Sequence, residues 1–156
     1  MTATSRATVD DFLAQKRIAF VGVSRNRTDF SRTLWNELKR RGYELIPVNS
    51  EALEIDGVRC VSRVTSIQPK ADGALLLVPP ETTQRVVRDC DAAGIRRVWM
   101  YRAAGHGAVS EEAVRFCNEH GIAVVAGECP FMFLEGSGGV HAVHGWWRKV
   151  TGKYPA

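Results

Sequence analysis

The stretch from Lys16 to Leu38, KRIAFVGVSRNRTDFSRTLWNEL, constrains the fold more than any other part of the chain. It opens with a continuous apolar run, Ile18 to Val21, that stops at Gly22. An unbroken apolar run of this length is typical of a strand buried on both faces, as in a parallel sheet. A polar loop follows, and Ser31 is a suitable N-cap for a helix with a regularly spaced apolar face. Together these features predict the first half of a nucleotide-binding βαβ unit, in which a helix N-terminus holds a phosphate.

The same alternation continues along the rest of the chain. Predicted helices at about 31–41, 81–93 and 110–120 each end at a glycine that leads into an apolar strand. The predicted strands are 18–21, 43–48, 72–78, 97–101 and 122–126. A leading helix with Thr8 as its cap, a tight turn at 55–58 and one helical turn within 62–67 complete the prediction. Alternating units of this kind predict an α/β fold: a doubly wound, Rossmann-like, five-stranded parallel sheet with helices on both faces.

The regular pattern stops near residue 130, which divides the chain into two predicted parts. With 156 residues and 45% hydrophobic side chains, there is material for one full core. We therefore expect a single nucleotide-binding domain at 1–130 and a C-terminal extension at 131–156. The extension carries His141, His144, Trp146 and Trp147. The two histidines have metal-ligand spacing but no third ligand nearby, so we expect no metal. We expect the extension to pack either on the domain or on a partner subunit, and in the second case the chain forms a homo-oligomer.

Composition favours a cytoplasmic protein and is compatible with an anionic ligand. No stretch reaches the roughly 18 apolar residues needed to cross a membrane, and the N-terminus lacks the apolar region of a secretory signal. The four cysteines form no CxxC pair, and Cys90 and Cys117 fall on apolar helix faces, so buried free thiols are expected. The net charge of +4 fits a polyanionic small ligand as well as nucleic acid. The nucleotide-binding pattern makes the small ligand our expectation, with no nucleic acid and no membrane partner.

The loop after the first strand departs from the common nucleotide fingerprints. A dinucleotide site of the usual type needs G-x-G-x-x-G and an acidic residue at the end of the second strand. Here the next glycine after Gly22 is Gly42, and Asn49 occupies the acidic position. No P-loop motif occurs either. Hydroxyl and guanidinium groups in the loop could instead serve several phosphates; they belong to Ser24, Thr28, Ser31, Arg25, Arg27 and Arg32.

An ordered set of short motifs carries a resemblance to a known family. They are IAFVGVS at 18–24, Ser31, GYELIPVN at 42–49, VWM at 98–100, SEEA at 110–113 and the pair Cys129-Pro130. In this order the motifs resemble those of the small stand-alone CoA-binding proteins. Their domain is similar to the N-terminal CoA-binding domain of the succinyl-CoA synthetase α subunit. The resemblance runs from about Ala7 to Cys129, and the loop 25–27 is richer in arginine than the proline-containing loop common in that family.

The resemblance implies coenzyme A as the ligand and assigns residues to its parts. Three groups are implied: a set along the pyrophosphate and its neighbouring phosphates, a set bordering the adenosine, and a valine-proline segment that lines the nucleotide site. The first is Gly22, Val23, Ser24, Ser31, Arg25 and Arg27; the second is Pro47, Val48 and Asn49; the third is Val78, Pro79 and Pro80.

Three functions are compatible with these observations. The first is a cytosolic protein that binds CoA or an acyl-CoA and performs no chemistry, because no nucleophile–base pair is evident at the predicted site. His106 reads as a neutral loop residue, and Cys129 could face a thioester but has no evident base nearby. The second is an NAD(P)-binding oxidoreductase-like protein, suggested by the fold alone. The third is a nucleotide-binding fold used as an interaction module, with the tryptophan-rich tail docking a partner.

Overall fold

Strands and helices alternate through almost the whole of the described chain. The computed structural model describes residues 4–103, 105 and 107–134. The helices are α1 (Arg6–Leu13), α2 (Phe30–Arg40), α3 (Pro80–Ala93) and α4 (Glu111–Glu119). The strands are β1 (Arg17–Val21), β2 (Glu44–Val48), β3 (Glu54–Ile55), β4 (Val58–Arg59), β5 (Gly73–Leu76), β6 (Arg97–Tyr101) and β7 (Ala123–Glu128). Single 3-10 turns lie at Val64–Ser66 and Pro130–Met132.

Five of the strands form one parallel sheet, in the order β2-β1-β5-β6-β7. One buried cluster joins the sheet to α3 and α4, and a second joins it to α1 and α2, so both faces are covered by helices. The predicted doubly wound, five-stranded parallel sheet is therefore confirmed. After β2 the chain crosses back over β1 to reach β5, so the strand order reverses between β1 and β5. In open α/β sheets ligands bind beyond the carboxyl ends of the strands at such a switch point.

Hydrophobic burial follows the predicted periodicity. Trp35 of α2 is fully buried and meets the Phe20 ring of β1 edge-on, with 5.7 Å between centroids. The turn between β3 and β4 is present, with Asp56 and Gly57 both at positive φ. All four cysteines are free, and three of them are buried, whereas Cys60 is partly exposed. In the described part of the chain no helix is both long and apolar enough to span a bilayer.

The capping residues of two helices differ from the sequence prediction. Helix α2 is capped by Asp29, whose carboxylate accepts a hydrogen bond from the Ser31 backbone N–H at 2.8 Å. The prediction of Ser31 as the cap is wrong because a carboxylate two residues earlier takes that role and also interacts favourably with the helix dipole. Helix α1 likewise starts earlier than predicted, since Ser5 rather than Thr8 provides its cap.

Residues 131–134 continue the hydrophobic core beyond the last strand. Phe131, Phe133 and Leu134 are buried in the cluster that contains α1 and α2. The Phe133 ring packs edge-on against Trp99, with 5.9 Å between centroids. Residues 135–156 and His106 lie outside the described residues, so the predictions about the histidines and tryptophans of the tail, and the domain boundary at residue 130, stay predictions.

Candidate functional site

The backbones at the ends of β1 and β5 approach each other more closely at Gly22 than a side chain would allow. Gly22 follows β1 with φ +98°, a conformation that favours glycine. A Cβ atom added there would overlap the carbonyl oxygen of Leu77, directly after β5. Glycine at this position therefore lets the two strand ends meet and leaves the backbone accessible to a ligand at the switch point.

Two clefts meet at this glycine. The first cleft has a volume of about 450 Å³ and lies between the ends of β1, β2 and β5 and one face of α3. Its lining includes Gly22, Val23, Ser24, Val48, Asn49, Glu51, Ser62, Arg63, Val64, Val78, Pro79, Thr82, Arg85, Val86 and Asp89. The second cleft has a volume of about 490 Å³ and faces α2 and β6. Its lining includes Gly22, Ser24, Phe30, Ser31, Val78, Pro79, Tyr101 and Ala108.

The loop between β1 and α2 is held by its own hydrogen bonds. The Ser24 backbone N–H donates to the Ser31 hydroxyl oxygen at 2.9 Å. Because that oxygen acts as an acceptor, the Ser31 hydroxyl hydrogen is still available to donate to a ligand. The Ser24 hydroxyl oxygen accepts from the Asn26 N–H at 3.0 Å, and the Asn26 side chain accepts from Thr28. These hydrogen bonds between residues 24 and 31 fix the shape of the loop.

The buried side chain of Arg32 holds this loop through hydrogen bonds to its backbone. The side chain is 5% exposed, and its Nη1 donates to the carbonyl oxygens of Ser24 and Arg25 at 3.2 and 3.3 Å. Its Nη2 forms an ion pair with Asp56 on the β3–β4 turn, which lowers the pKa of that carboxyl group. The sequence suggested Arg32 as a phosphate donor, but its guanidinium is engaged by backbone and Asp56. Arg32 thus holds the Ser24 and Arg25 carbonyl groups toward itself. Because a peptide unit is planar and trans, the N–H group of each of these two peptide units points away from Arg32.

Asn49 links the ends of the first two strands. Its Nδ2 donates to the Val23 carbonyl oxygen at 3.0 Å, and its Oδ1 accepts from the N–H groups of Glu51 and Ala52 at 2.8 and 3.1 Å. Three of the four hydrogen bonds that an amide can make are therefore used by the backbone. The residue lines the first cleft, but most of its hydrogen-bonding capacity holds the turn after β2.

The predicted ligand residues fall into three groups in the structure. Most of them line the first cleft: Gly22, Val23, Ser24, Val48, Asn49, Val78 and Pro79. Ser31 lines the second cleft. The remaining four line neither cleft: Arg25 and Arg27 are exposed in the loop, Pro47 is buried within β2, and Pro80 is the first residue of α3. All twelve remain predicted contacts.

Sequence reasoning missed a polar face of α3 that lines the first cleft. Thr82, Arg85 and Asp89 lie on this face, together with the apolar Val86. Arg85 follows Thr82 by three residues, and Asp89 follows Arg85 by four, so the three polar residues share one side of the helix. This spacing is visible in the sequence. Asp89 is 8% exposed and forms a bidentate ion pair with Arg63, which comes from the segment after β4. That partnership joins residues 26 positions apart and has no local signal.

The second cleft has an aromatic wall. Phe30 and Tyr101 stack with 5.3 Å between ring centroids. Burial, and secondarily the nearby Cys129, raises the pKa of Tyr101 to about 12. Its hydroxyl is therefore protonated at neutral pH and can donate a hydrogen bond. Among the described residues, no group of three or more histidine, cysteine or carboxylate side chains is placed to hold a metal ion.

Comparisons with known proteins place the chain in one family. A family described as a CoA binding domain matches residues 16–135. The uncharacterized protein YneT of Bacillus subtilis is 30% identical over 130 residues, which cover 83% of this chain and 93% of that protein. A hypothetical protein from Pyrococcus horikoshii OT3 has a similar structure, with a TM-score of 0.74 and 27% identity over 81% of this chain and 87% of the other.

A larger enzyme subunit contains a similar region. The acetate–CoA ligase (ADP-forming) II subunit alpha of Pyrococcus furiosus is 25% identical over 129 residues. The match covers 78% of this chain but only 28% of the subunit. The chain thus spans less than a third of the length of that ligase subunit, whose name describes an activity of a longer protein.

Proposed function

We propose that this chain, which belongs to the CoA-binding domain family, binds coenzyme A or an acyl-CoA at the switch point between β1 and β5 and catalyses no reaction itself. The observation that carries the proposal is the pair of clefts that meet at Gly22, inside the segment matched by the family. Coenzyme A has an adenosine end and a long arm joined by a pyrophosphate. A ligand of that shape suits two adjoining clefts with a polar junction. A cytoplasmic location, where free thiols stay reduced, is part of the proposal.

The pyrophosphate would lie at the junction of the two clefts. Gly22 allows it to approach the backbone closely, and the Ser31 hydroxyl can donate to one of its oxygens. The N-terminus of α2 adds a partial positive charge of about one half. Arg25 and Arg27, exposed in the same loop, would add guanidinium groups that meet phosphate oxygens in pairs.

The two ends of the ligand would occupy different clefts. The adenosine would lie in the first cleft, where Val48, Val64, Val78 and Val86 supply apolar contacts. The arm would cross into the second cleft, along the aromatic wall formed by Phe30 and Tyr101. A protonated Tyr101 hydroxyl could donate to an amide carbonyl of the arm.

An NAD(P)-binding protein is the second candidate, and one observation favours it. Glu51 lines the first cleft two residues after Asn49, where a carboxylate could bind a ribose diol. The loop nevertheless lacks the second and third glycines of the dinucleotide fingerprint. Direct comparison of the two ligands separates the candidates.

Thermal unfolding in the presence of each ligand tests the proposal. A ligand that binds only the folded state at 100 times its dissociation constant adds about 2.7 kcal/mol of stability. For a domain of this size, about 1 kcal/mol raises the unfolding midpoint by roughly 2–4 °C. We expect CoA to raise the midpoint by several degrees, with a much smaller effect of NAD at the same concentration. Equal shifts with the two ligands, or none with CoA, would overturn the proposal.

A further inference from the structure

We infer that Arg85 of α3 binds the ribose 3′-phosphate of coenzyme A and so makes the site selective for CoA over nucleotides that lack this group. The inference rests on the proposed function and deepens it. Coenzyme A carries a 3′-phosphate on its ribose in addition to the pyrophosphate, whereas dephospho-CoA and NAD have only the pyrophosphate. A site that distinguishes these ligands needs a cation within reach of the ribose.

Arg85 is the available cation on the α3 wall of the first cleft. The cleft is lined by two arginines, Arg63 and Arg85. Arg63 is engaged by both carboxylate oxygens of Asp89, which largely cancels its charge. Within the described residues, the guanidinium of Arg85 has neither an ion pair nor a hydrogen bond. It is exposed to solvent, so it can turn toward an anion at little cost.

Helix geometry directs Arg85 toward the nucleotide. Helix α3 begins at Pro80, directly after the switch-point residues Val78 and Pro79. Long side chains on a helix lean toward its N-terminus. Arg85 therefore leans toward the strand ends, one turn closer to them than Asp89. Thr82, on the same face and nearer the N-terminus, supplies a hydroxyl beside it.

Charge on the opposite wall favours the same placement. Glu51 lines the β2 side of the cleft, and its carboxylate would repel a phosphate lying against that side. The Asn49 amide, which could otherwise meet the ribose, is occupied mainly by backbone. The α3 wall is thus the side of the cleft where a ribose phosphate meets an uncompensated positive charge.

The test is a calorimetric titration of the full chain with CoA and with dephospho-CoA. In Arg85→Gln we expect the affinity for CoA to fall roughly tenfold to hundredfold, since one charge-assisted contact is lost. The affinity for dephospho-CoA should change by less than about twofold, because that ligand never used the contact. Arg85→Lys should retain part of the preference for CoA, since it keeps the charge but not the paired geometry.

Arg88→Gln is the matched control. Arg88 lies on the same helix, is similarly exposed and faces Glu112 of α4, with 3.6 Å between the charged atoms, rather than the cleft. Both affinities should be unchanged in this variant. Equal losses for the two ligands in Arg85→Gln, or no loss, would overturn the assignment, as would a CoA-selective loss in Arg25→Ala/Arg27→Ala instead. A wild-type chain that binds neither ligand would instead refute the proposed function, and the assignment with it.

Discussion

The ion pair between the buried Arg32 and the partly exposed Asp56 should stabilise both the fold and the phosphate loop. Arg32 is 5% exposed and Asp56 is 29% exposed by side chain. In Asp56→Ala the guanidinium stays buried with only the two loop carbonyls as partners. Breaking a fully buried pair costs about 3–5 kcal/mol, and we expect roughly 2–3 kcal/mol here because water can reach the Asp56 side.

Arg32→Met removes the other partner and gives a different result. The carbonyl oxygens of Ser24 and Arg25 lose their donor, at a cost of about 1–3 kcal/mol, while Asp56 can be hydrated. In the double variant no buried charge is left unpaired. We therefore expect the double variant to be at least about 1 kcal/mol more stable than the sum of the single effects predicts.

Urea unfolding of the wild type, the two single variants and the double variant measures these effects. The midpoints should shift while the slopes stay the same, since the unfolded surface hardly changes. Glu54→Ala on the same hairpin is the control, because Glu54 is exposed and surface changes of this kind usually fall within about 0.5 kcal/mol. Additive effects, or an Asp56→Ala variant as stable as Glu54→Ala, would refute the view that this pair holds the loop to the hairpin.

Three further predictions concern single positions or pairs. Gly22→Ala should lower the free energy of unfolding by at least about 2 kcal/mol, since it adds both backbone strain and an overlap, and an unchanged melting temperature would contradict the close approach at the switch point. If Arg25 and Arg27 contact the pyrophosphate, the double variant Arg25→Ala/Arg27→Ala should bind CoA and dephospho-CoA roughly tenfold to hundredfold more weakly, by about the same factor for both ligands in calorimetric titrations. Unchanged affinities would show that these arginines are not part of the site. Folding lowers the pKa of Glu37 from 4.5 to about 2, because its carboxylate pairs with Arg40 and Arg41 at the end of α2. The stabilisation from this pairing is therefore present above about pH 4.5 and lost as the pH falls toward 2. In urea titrations Glu37→Gln should be less stable than the wild type at about pH 7, and its stability should change less with pH across that acid range; parallel stability–pH profiles of the two proteins would argue against the pairing.

Local signals in the sequence were enough to predict the sheet but not the hydrogen bonds and ion pairs that hold the site together. The strand at 97–101 was predicted with the bounds that the structure has, because an apolar run stands between a helix-ending glycine and a polar loop. The cap of α2 was misassigned because Asp29 and Ser31 are both suitable, and only the three-dimensional loop gives Ser31 another partner. The burial of Arg32 depends on Asp56, 24 residues later, and no periodicity records that contact.

Mapping of amide chemical shifts during a CoA titration tests the central claim most directly. In the isotope-labelled full chain, we expect saturable shifts that are largest for the amides of Gly22 and Ser24, with little change on the outer face of α4 near Phe116. NAD at the same concentration should give much smaller shifts at those positions. A spectrum that CoA leaves unchanged, or in which the largest shifts lie on α4, would contradict a CoA site at the switch point between β1 and β5.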